Sequence, residues 1–374
     1  MRNRLTRFLI CTAACLAMLA LLIPSALAKE DAGIADGVEW TFLNGVMTLR
    51  GDEAAVLTGP YRPWDAYKPD TRELVIGSTF AEHRDWTGYA GFRALKRVVF
   101  EPDYCSACFS DSKALSEVRY TGEHPVFMGM AFIACRLDNI IIDSPDTDYV
   151  FDGNFLTNKA GTEIYYYFEP KKTGDLVIPE GVEVIHEGAF AQCSLRSVSL
   201  PSTLRVIEGF AFFGVKQLQE ITIPASCREI GASAFADSTL RRVTFLGDSV
   251  DFSADSPTFE PGKTVRRGGL TFDMCKGLQD VTVPGCGEVP FGLFRNCRGL
   301  RHIEFLEGTT KISSFSGAFE NCGKVTIFIL PDEIDFDGNV LREMSNPIIW
   351  CREGTLTAYT AMAYGLKYKF IEKE

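Results

Sequence analysis

LRSVSLPSTLRVIEGFAF from Leu195, LQEITIPASCREIGASAF from Leu218 and LRRVTFLGDSV from Leu240 are three renderings of one pattern, with leading leucines 23 and 22 residues apart. The fourth and sixth positions of each core, such as Val198 with Leu200 or Ile221 with Ile223, lie two residues apart. They therefore face one side of a short strand while Ser197 and Ser199 face the other. Pro201 and Pro224 end the strand, because a residue without an N–H and with fixed φ cannot continue a ladder. A second apolar pair follows, Ile207 with Phe212 and Ile230 with Phe235, set among small residues. A unit this short cannot bury its own apolar face, so it must stack on copies of itself, with parallel strands about 4.8 Å apart.

Reading outward from this stretch, the core recurs from Thr71, Leu95, Leu115, Leu137, Thr173, Leu278, Leu300 and Val325, for eleven copies in all. Steps of 36 residues after Leu137 and 38 after Leu240 interrupt a period that otherwise runs from 20 to 25. The second long step contains residues 247–271, which read either as an insertion loop carrying Arg266 and Arg267 or as a degenerate repeat. A chain of 374 residues would ordinarily divide into two or more domains, but a repeat array grows its core by addition instead.

The unit seen in IHEGAFAQCSLRSVSLP from Ile185, and in part in FRNCRGLRHIEF from Phe294, resembles the BspA-like leucine-rich repeat of bacterial surface and secreted proteins. VEWTFLNGVMTLRGDEAAV with Pro63 and Trp64 resembles that family's N-terminal cap. FDGNFLTNKAGTEIYYYFEP resembles its longer repeat variant, and IIWCREGTLTAYTAMAYGLKYKFIE its strand-and-helix C-terminal cap. The resemblance implies a right-handed leucine-rich-repeat superhelix with one long parallel β-sheet and short turns or 3-10 segments on the convex side. The expected division is a signal peptide over 1–28, a β cap over 29–70, the solenoid over 71–345 and a C-terminal cap over 346–374. For adhesion-type members the resemblance also implies a protein partner, on a host or a neighbouring cell.

The first 28 residues carry Arg2, Arg4 and Arg7, a short apolar run and a small-residue Ala26-Leu27-Ala28 site, the layout of a secretory signal. The expected product is secreted or at the cell surface, with no membrane insertion after cleavage. Its loss would take the net charge from -11 to -14 and leave ten of twelve cysteines. Such an acidic chain argues against nucleic acid as a partner, since phosphate binding needs surplus Lys and Arg.

Chemistry-bearing motifs are sparse. Cys135, Cys193, Cys275, Cys297 and Cys322 each follow a repeat phenylalanine by three residues, which predicts a stacked column of buried thiols rather than disulfides. Cys105 and Cys108 stand outside it, open to a local disulfide, thiol exchange or metal. Glu333, Asp335 and Asp337 imitate the start of a calcium loop, but position 344, where its closing glutamate belongs, is Met344. Nucleophile elbows, HExxH zinc motifs and phosphate loops are missing from the sequence, so no catalytic residue, cofactor or metal is assigned and no enzyme is expected.

The outward third and fifth core positions form the best candidate surface. Arg97, Glu117, Arg119, Glu220, Arg242, Asp280, His302 and Glu304 are its charged or titratable candidates for partner binding, with His302 also a candidate base. No aromatic occurs at these positions through Ile329, which favours a protein over a glycan. A cell-envelope glycan remains the alternative, with Tyr165, Tyr166 and Tyr167 as a candidate platform elsewhere.

Overall fold

The computed structural model describes residues 30–51, 56–57, 62–77, 81–82, 91–102, 109, 112–127, 129–145, 147–169, 174–252, 269–313, 316–341, 344 and 347–372. The expected export signal, His83, Cys105, Cys108 and the arginines of the second long step lie outside them. The fold is the expected parallel β-solenoid of stacked leucine-rich turns.

Most core strands bury their fourth and sixth positions, whereas Ile142, Leu176, Val198, Leu200 and Phe245 are half-buried. In Glu73–Ile76, Arg97–Phe100, Glu117–Tyr120 and His302–Phe305, buried residues alternate with half-exposed ones. Behind the strands of the middle turns stands a phenylalanine column. Phe190, Phe212, Phe235, Phe272 and Phe294 follow one another at 5.0, 5.3, 5.5 and 5.6 Å with planes 4 to 11° apart. This spacing is close to the pitch of parallel strands, so the rings simply inherit the backbone repeat. Each is fully buried, which stabilises the turn by roughly 1.5–3 kcal/mol.

The main chain around the column forms its own ladder. Phe190 N–H donates to Ala211 O at 2.8 Å, Phe212 to Ala234 at 2.7 Å, Phe235 to Thr271 at 2.9 Å and Phe294 to Ala318 at 2.8 Å. Left-handed residues flank the ring two positions before and after, as with Phe210, Ser233 and Leu270 on one side and Gln192, Asp237, Met274 and Asn296 on the other. Gly188 and Gly292, which also have positive φ, occupy the first kind of position, where the absence of a Cβ relieves the strain that Phe210 and Leu270 accept.

Two expectations need correction. The core strands do not form a single ladder: a seven-stranded sheet from Asp31–Ala35 to Asn139–Ile142, a pair Asp175–Val177 with Ser197–Ser199, and a seven-stranded sheet from Glu220–Ile223 to Tyr368–Phe370 succeed one another. The first break falls at the 36-residue step, where Tyr149–Phe151, Phe155–Asn158 and Glu163–Tyr167 fold back antiparallel. At the second break the preceding strands are only three residues long, and Pro179 and Pro201 follow them closely. The opposite side is also more than turns and 3-10 segments. Val184–Ile185, Val206–Ile207 and Glu229–Ile230 pair in parallel as a second sheet, because the isoleucine of each unit is itself in extended backbone.

The long steps differ in their effect. Glu163–Tyr167 rejoins the solenoid with Tyr167 standing where the column phenylalanine belongs, its N–H bonded to Ala189 O at 3.0 Å and its ring 5.2 Å from Phe190. The apolar core nonetheless divides there into two clusters, one from Val38 to Phe168 and one from Phe155 to Ala361. At the later step, residues 249–252 stay in register. Asp251 bridges Glu229, and Phe252 is buried one period after Ile230. The column passes directly from Phe235 to Phe272. Twenty positions separate Phe252 from Phe272 where five separate Ile230 from Phe235, so the extra length of this step falls in the sequence between those two phenylalanines.

Candidate partner-binding face

On the N-terminal part of the long-sheet face, charges one period apart close on one another. Arg97 lies between Glu73 at 3.6 Å and Glu117 at 2.8 Å. Arg119 donates twice to Asp143, at 2.7 and 3.0 Å. Further along, Arg242 pairs with Glu220 at 3.2 Å. Exposed pairs of this kind contribute about 0–1 kcal/mol each to stability. Their groups would have to exchange these contacts for a partner's, so five of the eight charged candidates are already engaged within the chain.

The C-terminal part is different. The register aligns Asp280, His302, Ile327 and Ile348 in one row and Thr282, Glu304, Ile329, Trp350 and Lys369 in the next. Among the described residues, Asp280 is exposed and forms no ion pair, Glu304 accepts a hydrogen bond from the Thr282 hydroxyl at 3.0 Å, and His302 Nε2 is enclosed without a hydrogen-bond partner. Ile349 and Cys351 turn into the core, whereas Ile348 stays 39% exposed on the face. Strand Ile348–Cys351 was assigned to the cap by the sequence, yet it pairs in the sheet and puts an aromatic, Trp350, on the face. The Lys369 ammonium sits 4.3 Å from the centre of its ring, a cation–π contact that occupies the ring as a glycan platform.

The tyrosine run is not such a platform either. Tyr166 and Tyr167 are buried at 6% and 4% exposure, and Tyr165 stacks on His186 at 4.1 Å. Tyr165 instead belongs to a cluster the sequence reading passed over. His186 Nε2 lies 2.8 Å from Glu163 and its Nδ1 3.1 Å from Glu208, while the Tyr165 hydroxyl donates to Glu163 at 2.7 Å. Burial alone would pull the imidazole pKa down, but the hydrogen bonds and charges of Glu208 and Glu163 outweigh it and leave it raised. Glu163 is held below the usual carboxylate range, chiefly by the Tyr165 hydroxyl and then by His186. Both glutamates stand one period from His186, which is the signal that could have revealed the cluster. It fastens three successive turns, from Glu163–Tyr167 through Val184–Ile185 to Val206–Ile207.

The cysteine column is present as thiols. Cys135, Cys275, Cys297 and Cys322 donate to the carbonyls of Phe109, Phe235, Phe272 and Phe294 at 3.3, 3.2, 3.1 and 3.0 Å. Burial pushes Cys275 and Cys322 up to about 12, so they stay protonated donors rather than nucleophiles. The acidic clusters serve the chain itself: Asp152 accepts from the backbone N–H of Asn154 and Phe155, and Asp337 from Asn339. Among the described residues no three His, Cys, Asp or Glu side chains converge as a metal site, and no helix is long and apolar enough to cross a membrane.

A leucine-rich repeat protein from Eubacterium ventriosum has a similar structure, with a TM-score of 0.54 at 16% identity over 84% of this chain and 94% of that one. One from Bacteroides ovatus aligns at 19% identity over 91% of this chain and all of that one, with a TM-score of 0.43. A leucine-rich cell surface protein from Faecalibacterium prausnitzii aligns at 19% identity over 93% and 97%, with a TM-score of 0.32. No curated protein matches the chain. The model of the BspA type leucine-rich repeat region matches in six copies over residues 161–256 and 268–346. Stacked turns on a buried phenylalanine column, a parallel sheet in register and the family match agree: over those residues the chain matches the BspA-type leucine-rich repeat family, a repeat-scaffold type.

Proposed function

We propose that this is an exported interaction protein that binds a protein partner through the C-terminal part of its long-sheet face. The observation that carries this reading is the pair of rows ending in Ile327, Ile329, Ile348 and Trp350, apolar side chains at positions that are polar on most other turns. Burying such surface gains about 25 cal/mol per Å², while the ion pairs at Arg97, Arg119 and Arg242 resist desolvation. Asp280, His302 and Glu304 then edge the contact, whereas Arg97, Glu117, Arg119, Glu220 and Arg242 lie on earlier turns of the face. The cell-surface relative and the expected signal over residues 1–28 support a place outside the cell.

The test compares capture of purified surface proteins by the wild type, by Ile348→Asp and by an Arg97→Ala, Arg119→Ala, Arg242→Ala triple variant. The expected result is a retained protein that Ile348→Asp loses and the triple variant holds with at most a few-fold weakening. A protein retained by Ile348→Asp and lost from the triple variant would sink the reading. So would a glycan-only signal that survives both changes.

A further inference from the structure

Resting on the sheet-face reading, we infer that the occupant of this surface is an extended segment of a protein lying across the strands with the pattern basic-x-apolar-x-apolar, read in either chain direction. The rows set its chemistry. Asp280 and Glu304 sit on adjacent strands at one end, and neither forms an ion pair among the described residues, although Arg242 stands next to Asp280 in register and pairs with Glu220 instead. The adjacent strands, in order, present Ile327 with Ile329 and then Ile348 beside Trp350, whose ring Lys369 already covers. Beyond Trp350 comes Lys369, a cation that repels a second basic residue at that end.

The rows also set the spacing. From Asp280 to Ile348 the register crosses three strand intervals, about 14 Å at roughly 4.8 Å each. An extended chain rises about 3.3 Å per residue and points alternate side chains to one face. Residues i, i+2 and i+4 of a bound segment therefore span about 13 Å on the side facing the sheet. Placing i between Asp280 and Glu304 brings i+2 over the isoleucines of Ile327–Ile329 and i+4 over Ile348 and Trp350. The first residue must be basic, because an acidic one would face two carboxylates. The other two must be apolar, because polar groups there would lose water without finding partners.

A random-peptide display library selected on the whole protein tests this, with the enriched sequence then made as a synthetic peptide. The expected result is enrichment of the stated pattern, at least a tenfold affinity loss in Ile348→Asp, and recovery of binding to Asp280→Lys when the peptide's basic residue is exchanged for glutamate. Ile348 is exposed, and circular dichroism melts of both variants matching the wild type would show that the loss is local. Peptides that Ile348→Asp abolishes but that lack the pattern would overturn this inference and leave the sheet-face reading standing. Peptides that carry the pattern yet ignore Ile348→Asp would overturn the sheet-face reading itself. Failure of any peptide to enrich would overturn the inference, with capture of whole surface proteins still testing the broader reading.

Discussion

The two seven-stranded sheets share a backbone plan and differ in what they offer to solvent. Across Glu73–Ile76, Arg97–Phe100 and Glu117–Tyr120 the outward charges are spent on each other, through Glu73, Arg97 and Glu117 and through Arg119 with Asp143. Across His302–Phe305, Ile327–Ile329 and Ile348–Cys351 the face turns apolar, and among the described residues Asp280 at its edge has no ion-pair partner. The difference shows that a charged residue at an outward position is a candidate contact only if its neighbour one period away does not already hold it. It also shows that the apolar surplus of one end, rather than the charge of the other, supplies a driving force for association.

The largest expected effect tests whether the two ends depend on the same kind of core. Phe294→Ala should cost about 3–5 kcal/mol, read as a lowered denaturation midpoint, because it empties the middle of a stacked column between Phe272 and Phe319. Since the apolar core divides near Phe155–Phe168, hydrogen exchange should quicken mainly in the C-terminal sheet. Equal acceleration in strands Arg97–Phe100 and Glu117–Tyr120 would instead mean that both ends unfold as one unit.

Next comes the second long step. Replacing residues 253–268 with a short glycine-serine link should shift stability by under about 1 kcal/mol, the scale on which loop length acts, because Phe235 already stacks on Phe272 without it. A loss of several kcal/mol in the melting transition would show that the extra chain packs as part of the core.

A pH effect of similar or smaller size is expected at the joint between the two ends. The raised pKa of His186 in the folded chain means that its contribution is fully present below the unfolded value of 6.5 and fades as pH rises through the folded value. Wild-type stability should therefore fall by about 1 kcal/mol or less between roughly pH 6 and pH 8 relative to a His186→Gln variant, given the partial exposure of the cluster. Parallel stability profiles would refute the clamp. Glu163, with its depressed pKa, acts in the opposite direction, contributing above the ordinary carboxylate range and losing that contribution in acid.

An effect of the same order belongs to the thiol column. Cys297→Ser should cost under about 1.5 kcal/mol, as one buried hydrogen bond is worth about that much and a serine hydroxyl can still donate to Phe272 O. Ser238 already occupies the column and contacts Cys275 at 3.2 Å.

Much of the fold could be read in the sequence because one short pattern, repeated, fixes strand, turn and column at once. The spacing of Val198, Leu200, Ile207 and Phe212 dictates which atoms are buried, and the cysteines three residues after each phenylalanine must line up if the phenylalanines do. What was harder to see lay where the pattern lapses or where partners come from different turns. Strand Ile348–Cys351 begins after Pro347 instead of a leucine, so Trp350 did not register as a face residue. Tyr167 replaces a phenylalanine at the end of a hairpin, hiding the turn that bridges the two cores. His186 looks solitary along the chain, while its carboxylate partners stand one period to either side. The same cross-period reading would have shown that Arg97 and Arg119 were already paired.

The central claim is that the partner lies on the apolar C-terminal rows, and hydroxyl-radical footprinting of the protein with and without its captured partner tests it most directly. Slower oxidation of Ile348 and Trp350 in the complex, with Val75 and Val99 on the N-terminal face unchanged, is the predicted result. Protection of Val75 and Val99 with Ile348 and Trp350 still reactive would contradict it.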